Sequence, residues 1–281
     1  MNFFYLIGSI IAESGGKTFD KINLKKNKID PRQALLLIFI TMASLIALYI
    51  ILAGKDLGVI NKQLIFLIVG IACFSFLGNV FDEMSLQRDD LSLREPLVDF
   101  EPIATGFIAY LLFPEERNIA ILAAFILGTL IVRWGLHRHK LNKNERTGIR
   151  YMWLAVLFYA IVPVFYKEAL NYISPEYLAL FRTASISILI LIFFKPKRST
   201  KLNKAMFGYG LAAAVWYAFG AIVSLYAIKN FGLVITMLFL MLGPALRYLA
   251  GQFVLKEKVR KTEVLSSLML TLVVAIAAFF K

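Results

Sequence analysis

The sequence predicts an all-α integral membrane protein with ten transmembrane helices, arranged as two inverted five-helix repeats. Three observations support this prediction: an excess of apolar residues, their division into long blocks, and a match between the two halves of the chain. Of the 281 residues, 59% are hydrophobic, and the mean hydropathy is +0.73. Soluble domains contain roughly 45–50% apolar residues. The composition therefore excludes an ordinary water-soluble protein.

The apolar residues fall in blocks of about 18–22 residues, the length of helix that crosses a hydrocarbon core of roughly 30 Å. The strands of a membrane barrel would instead be about ten residues long, with strict alternation. The ten candidate spans are residues 1–19, 33–53, 64–84, 95–113, 118–136, 150–170, 176–194, 206–228, 232–254 and 263–280. The connections between them are short, so the sequence leaves little room for a soluble catalytic domain.

The two halves of the chain match when one is shifted by 142 residues against the other. This shift pairs Gly78 with Gly220 and Pro102 with Pro244, without a gap. The predicted domains are a first five-helix repeat at residues 1–136, a basic linker at 137–149 and a second five-helix repeat at 150–281. Because five crossings are an odd number, the second repeat enters the membrane from the opposite side. Inverted repeats of this kind are found in many secondary transporters.

Short motifs resemble the EamA type of the drug/metabolite transporter superfamily. The stretch KEALNYISPEYLALFR, residues 167–182, is similar to that family's helix–proline–helix–arginine entry to its second hairpin. Pro244 followed by Glu257, and Pro102 followed by Glu115, resemble its closing helix pair in each half. The resemblance implies two EamA-like repeats around a central cavity. It also implies export or import of a small organic metabolite by alternating access.

The formal net charge of +13 comes from basic residues in the short connections. Anionic lipid headgroups and the positive-inside rule account for such residues, so we expect membrane lipids as partners and no nucleic acid. The expected location is the plasma membrane, with many crossings. The distribution of charge favours both termini outside the cytoplasm, whereas the family resemblance favours both inside, and the orientation stays open.

The fourth span contains the carboxylates Asp99 and Glu101. The apolar run that follows Pro102 is too short to cross the membrane, so we expect these acids to lie below the interface. The repeat places Arg247 one helical turn from Glu101. Two interpretations stay open. One is a structural ion pair between Glu101 and Arg247. The other is that one or more of Asp99, Glu101 and Arg247 line a cavity and contact the solute or carry a coupling proton.

Two further sets of side chains are candidates for contact with the solute. Glu13 and Lys17 of the first span have the i,i+4 spacing of an ion pair on one helix. They either satisfy each other or line a cavity. Trp216 and Tyr217 of the eighth span, beside Gly220, are the aromatic candidates for the wall of that cavity.

Hinges or gates are expected where proline removes a backbone hydrogen bond or where glycine permits close approach. The candidates are Pro102, Pro244, Pro163, Gly78 and Gly220.

No phosphate-binding loop and no metal-ligand spacing occurs in the sequence. We therefore predict no catalytic residues, cofactor or metal, and a protein that is not an enzyme. The expected partner is a small-molecule substrate, with a coupling proton or other ion left open, and the protein is expected to be a monomer or homodimer. Two alternatives stay open: a membrane-embedded enzyme acting on a lipid-linked substrate, and a non-transporting membrane scaffold or sensor.

Overall fold

In the computed structural model, the regular secondary structure of the described residues consists of helices joined by short loops. The described residues are 3–27, 31–86, 97–98, 100–117, 119–137, 143–194, 204–240 and 243, with 265–266, 268–269, 271–273 and 275–276. The helices are α1 (Phe4–Asn27), α2 (Pro31–Ala53), α3 (Lys62–Leu86), α4 (Glu101–Leu112), α5 (Ile119–His137), α6 (Lys143–Ala169), α7 (Pro175–Phe194), α8 (Lys204–Phe231) and α9 (Leu233–Leu240). The all-α class is confirmed for this part of the chain.

Each of the first nine predicted spans overlaps one of these helices. Within the described residues, five helices are long and apolar enough to cross a membrane. They are Arg32–Ala53, Lys62–Asp82, Arg146–Ala169, Pro175–Phe193 and Lys204–Phe231. The full set of ten crossings stays a prediction.

The helix ends follow local backbone chemistry. Proline occupies the first position of α2 and of α7, Pro31 and Pro175, where its missing N–H removes no helical hydrogen bond. The Asn61 side-chain oxygen caps α3 by accepting a hydrogen bond from the Leu64 N–H at 2.8 Å. Gly232, at φ +86°, separates α8 from α9 in a conformation that other residues rarely adopt.

Large apolar side chains cover much of the outer surface. Ile51, Leu52 and Phe66 are each at least 70% exposed. An exposed apolar surface of this extent is unfavourable in water, whereas hydrocarbon removes the cost. The exposed faces therefore suit contact with lipid.

The chain forms two compact units. The first contains Met1–Phe76 and Phe165–Lys229, and the second contains Leu77–Val164 and Asn230–Lys281. Each unit combines residues from both halves of the chain. The predicted repeats therefore do not coincide with these compact units, and the boundaries of the repeats stay predictions.

In the first unit, α2 packs against α7, and α1 lies close against α8. A Cβ atom added to Gly8 would lie 3.2 Å from Val223, and one added to Gly220 would lie 3.1 Å from Ala12. Residues further along α1 meet residues that come earlier in α8: Gly8 meets Val223, whereas Ala12 meets Gly220. The two helices are therefore antiparallel. Small residues at these positions let the backbones approach closely, as is common between helices in membranes.

In the second unit, α4 packs against both α9 and α5. The helices of the fourth and ninth predicted spans, which the repeat suggested were neighbours, are therefore in contact. A second glycine contact joins α3 to α6, where a Cβ atom added to Gly78 would lie 2.6 Å from the Tyr159 ring. The stacked rings of Phe81 and Phe158, with centroids 5.7 Å apart, lie next to it in sequence.

Candidate functional site

An ion pair lies near the middle of α1. The Lys17 Nζ atom is 2.8 Å from Glu13 Oε1, and the side chains are 33% and 34% exposed. At 1.5 Å per residue, Glu13 and Lys17 lie roughly 14 and 20 Å from the start of a helix about 36 Å long. The i,i+4 pair that the spacing suggested is formed, and we call it the α1 ion pair.

The α1 ion pair faces away from the apolar stripe of its helix. Phe4, Ile7 and Ile11 form that stripe and are all exposed. At 100° per residue, the midpoint of the pair lies about 130° around the helix from the stripe. Leu6 and Ile10 share the face of the pair and are buried. The exposed part of the two charges therefore opens on the side of α1 that does not suit lipid.

Trp216 and Tyr217 lie against two consecutive glycines of α1. A Cβ atom added to Gly15 would lie 2.9 Å from the Trp216 ring, and one added to Gly16 would lie 2.6 Å from the Tyr217 ring. A side chain at either position would therefore displace an aromatic ring. Gly16 precedes Lys17 directly and follows Glu13 by almost one turn. The structure thus brings the two aromatic candidates and the α1 ion pair together within the first unit.

The glycine and proline candidates lie in close helix contacts or inside a helix. Gly220 and Gly78 are both buried where two helices touch, as described above. Pro163 is buried inside α6, which continues through it from Lys143 to Ala169. Their role as hinges stays a prediction.

The fourth-span candidates are described only in part. Glu101 is half-buried in the first turn of α4, followed by Pro102. Thr105, one turn further, is fully buried, and its hydroxyl has no hydrogen-bond partner among the described residues. Asp99, Pro244 and Arg247 lie outside the described residues. The proposed pairing of Glu101 with Arg247 is therefore untested by the structure.

The structure also shows a polar cluster that the sequence did not indicate. Glu176 of α7 is completely buried, and its Oε1 accepts a 2.7 Å hydrogen bond from the Tyr226 hydroxyl of α8. The Lys55 Nζ atom lies 3.1 Å from the same oxygen and 3.5 Å from the Tyr226 hydroxyl. We call these three residues the Glu176 cluster.

Two loops bring the Glu176 cluster together. The loop between α2 and α3 forms a bridge with the loop between α6 and α7 through Gly58 and Ile173. Next to it, the Val59 N–H donates a 2.9 Å hydrogen bond to the Tyr172 carbonyl. Gly58 has φ +92°, and any Cβ atom there would collide with that same carbonyl. Glycine at this position therefore permits the loop path that places Lys55 beside Glu176.

The charges of the cluster reinforce each other. The hydrogen bond and the negative charge of Glu176 hold the pKa of Lys55 above its usual range, so this lysine stays protonated. The carboxylate is in the first turn of α7, where the helix dipole favours negative charge. The second oxygen, Oε2, has no hydrogen-bond partner among the described residues. Ring stacking of Tyr5 on Tyr226, with centroids 5.1 Å apart, ties α1 to the cluster.

Sequence reasoning missed this cluster because its parts are far apart along the chain. Lys55 and Tyr226 are separated by 171 residues. Glu176 lies within the motif that carried the family resemblance, but an acid after a proline is also an ordinary start of a helix. The glycines that flank Lys55, Gly54 and Gly58, are a local sequence signal of a constrained loop, and both have positive φ in the structure.

In the part of the chain that the structure describes, no group of three or more His, Cys, Asp or Glu side chains could hold a metal ion. The described site chemistry consists of ion pairs, hydroxyls and aromatic rings.

Comparison with known proteins found a family match over part of the chain and a solved structure with a similar fold. Residues 146–279 match the EamA-like transporter family. A solved structure, described only as a crystal structure of a protein, has a TM-score of 0.77 to this chain at 13% sequence identity. The match covers 98% of this chain and 96% of the other. At that identity the likeness concerns the fold alone. No curated protein matches the sequence.

Proposed function

We propose that the chain, whose residues 146–279 match the EamA-like transporter family, is a secondary-active transporter. It moves a small organic metabolite across the plasma membrane, as an exporter or an importer, by alternating access through a central cavity between the two repeats. Members of this family are transporters, and the apolar helices identify an integral membrane protein.

The observation that carries the proposal is the position of the α1 ion pair. An isolated charge at the centre of the bilayer costs about 2.5–3.5 kcal/mol on insertion scales. Glu13 and Lys17 lie in the second half of the first predicted span, residues 1–19, and reduce such a cost by pairing, yet a third of each side chain is exposed. Because the pair faces away from the apolar stripe, the exposed part meets water inside the protein. A solute path supplies that water.

The inverted repeat is supported by two matching glycine contacts. Under the 142-residue shift, Gly78 of α3 corresponds to Gly220 of α8. Gly78 lies against α6, and Gly220 lies against α1. Helix α1 is the first helix of the first predicted repeat, and α6 is the first helix of the second. In each contact, therefore, the glycine-bearing third helix of one repeat packs against the first helix of the other repeat. This correspondence favours ten crossings in two inverted sets of five.

We assign the solute site to the α1 ion pair and to the neighbouring rings of Trp216 and Tyr217. The fourth-span charges Asp99, Glu101 and Arg247 are a second candidate set, for the coupling ion or for a structural pair.

The proposal is tested with purified protein in liposomes that are loaded with a metabolite extract of the host cells. Mass spectrometry then measures which solutes leave, with and without proton or sodium gradients. We expect at least one small organic solute to leave faster than from protein-free vesicles. Unchanged release of every detected solute under all gradients would overturn the assignment. Lys62→Met, at an exposed position at the start of α3, is the matched control and should transport normally.

A further inference from the structure

We propose that the loop between α2 and α3, residues 54–61, is a gate at the end of the first unit where α1 begins, and that the Lys55 side chain is its latch. The latch is closed in this structure, with Lys55 bound to Glu176 and Tyr226. This inference rests on the proposed transport function and on the assignment of the α1 ion pair to the solute site. It concerns how that site is closed off from one face of the membrane.

Four helices of the first unit meet the Glu176 cluster at the same end. Tyr5 is in the first turn of α1, and Glu176 is in the first turn of α7. Helix α2 ends just before Lys55, and Tyr226 is in the last turns of α8. Because α1 and α8 are antiparallel, the stacked rings of Tyr5 and Tyr226 lie at one end of both helices. The cluster therefore lies where these helices reach one face of the membrane.

The α1 ion pair lies deeper along the same helices. At 1.5 Å per residue, Glu13 lies roughly 12 Å further along α1 than Tyr5, and Tyr217 lies roughly 14 Å from Tyr226 along α8. Along both helices, the Glu176 cluster is therefore between the proposed solute site and this face of the membrane.

The path along α1 is closed at this end. Leu6 and Ser9 share the face of α1 that carries Glu13, and they come between it and the start of the helix. Both are completely buried, whereas a third of the Glu13 side chain is exposed. Water that reaches the α1 ion pair therefore does not arrive past these two residues. In this structure the pair is shut off from the end that carries the Glu176 cluster.

Lys55 is the part of the cluster that can leave. Glu176 and Tyr226 belong to two helices and are bonded to each other, whereas Lys55 is in the loop between α2 and α3. Its side chain is 34% exposed, so water can hydrate the ammonium group as it separates. Gly54 and Gly58 lie on either side of it, with φ +58° and +92°. Glycine tolerates a wide change of backbone angles, as the hinges of a moving loop require.

The ion pair gives the gate two distinct states. In the closed state Glu176 is completely buried, and Lys55 balances its charge. A small displacement of Lys55 would leave that carboxylate buried without its positive partner, which is costly. Full opening admits water to both groups and removes the cost. Intermediate positions are therefore disfavoured, as alternation between a closed and an open state requires.

The other end of α1 and α8 is built differently. There, the Asn23 side chain of α1 donates a buried 3.1 Å hydrogen bond to the Met206 carbonyl of α8. This bond joins the two helices directly and involves neither a loop nor a charge. Together with the stacking of Tyr5 on Tyr226, it holds α1 against α8 at both ends. The movement is therefore placed in the α2–α3 loop.

The test measures whether a buried position below the gate becomes accessible from the face on which the gate lies. The reporter is Ser9→Cys in a background in which the only cysteine is removed by Cys73→Ser. A membrane-impermeant maleimide labels it in sealed vesicles of both orientations, and Lys62→Cys, exposed at the start of α3, identifies the face of the gate. Lys55→Met should raise Ser9→Cys labelling from that face about 10-fold, the lower end of the effect of a lost charge-assisted hydrogen bond.

Three controls separate the opening of a gate from a general loosening of the unit. Lys62→Met removes a lysine outside the cluster and should leave the labelling unchanged. Lys55→Arg keeps the positive charge, so the labelling should stay near the wild-type rate. Ser187→Cys reports on the distant half of α7, where the serine is also buried, and its labelling should not rise in Lys55→Met.

Equal labelling of Ser9→Cys in Lys55→Met and Lys62→Met would overturn the gate, and so would a rise at both reporters. If Lys55→Met is not recovered as a monodisperse protein, Tyr226→Phe replaces it. That variant removes a neutral hydrogen bond from the cluster and should raise the labelling several-fold, and an unchanged rate would again overturn the proposal.

The labelling needs no solute, so its failure is distinguishable from a failure of the proposed function. Unchanged labelling in a protein that releases a solute from liposomes would overturn the gate and leave the transport function standing. Release of nothing would overturn the transport function itself.

Discussion

The α1 ion pair and the Glu176 cluster both join a lysine to a glutamate, but they differ in how the protein builds them. Glu13 and Lys17 are four residues apart on one helix, and both remain partly exposed. Glu176 is completely buried and meets Lys55 only through the contact between two loops. Local geometry makes the first pair, whereas the fold makes the second. The comparison predicts that the first pair matters for transport and the second for the stability of the closed structure.

The largest effect on stability is expected from Lys55→Met. The change leaves the buried Glu176 carboxylate without its positive partner, supported only by neutral donors such as the Tyr226 hydroxyl and its own backbone N–H. Breaking a buried ion pair costs about 3–5 kcal/mol, and the partial exposure of Lys55 moves the expected cost to about 2–3 kcal/mol. Thermal unfolding in detergent should show a Tm several degrees below that of Lys62→Met, and equal Tm values would contradict a stabilising role for the cluster.

A somewhat smaller loss is expected from Gly16→Ala. The added methyl group would lie 2.6 Å from the Tyr217 ring and force it to move. Overpacking of this kind costs about 1–3 kcal/mol. Gly208→Ala, on the exposed side of α8 with no atom within 4 Å of the added Cβ, is the matched control. If both alanine variants unfold at the same temperature, the contact between α1 and α8 is looser than described.

Removal of the α1 ion pair should change stability least. Partly exposed i,i+4 pairs contribute about 0.3–0.5 kcal/mol, so E13Q/K17Q should melt within about 2 °C of the wild type. The same variant should release the solute more slowly in the liposome assay, because both charges of the proposed solute site are gone. A fall in Tm as large as that of Lys55→Met would remove the distinction between the two pairs.

The pH dependence of the Glu176 cluster gives the finest test. Because the folded-state pKa of Lys55 is raised, the stabilisation from this lysine is fully present below its unfolded pKa of about 10.4. It is lost as pH rises through the folded pKa. The Tm difference between wild type and Lys55→Met should therefore be constant from pH 7 to about 9.5 and shrink above that. A difference that already falls between pH 7 and pH 9 would contradict the raised pKa.

Much of the helical organisation could be read from the chain, because apolar blocks of about 20 residues fit the thickness of a bilayer. The positions of α2, α3 and α7 agree with the predicted spans within a few residues. The first helix runs further than its span, to Asn27, since its last turns are polar and carry no apolar signal. The EamA resemblance was carried by short motifs, and it is confirmed over residues 146–279.

The candidate site was only partly predictable. The spacing of Glu13 and Lys17 predicted their pairing, since residues four apart lie on one face of a helix. The adjacent glycines and the consecutive aromatics were each visible, but the sequence did not pair Gly16 with Tyr217. That contact depends on how α1 and α8 cross, and no local pattern records a crossing.

By itself, the sequence determined that the protein is helical and membrane-embedded, and that one ion pair forms within α1. These properties depend on hydropathy and on helix geometry over a few turns, which neighbouring residues specify. Only the tertiary structure decided that the α1 ion pair lies beside Tyr217 and that Glu176 is buried with Lys55 and Tyr226. The residues of the cluster lie up to 171 positions apart. Their encounter depends on packing and loop contacts between distant segments, with a glycine at position 58 that tolerates the required backbone.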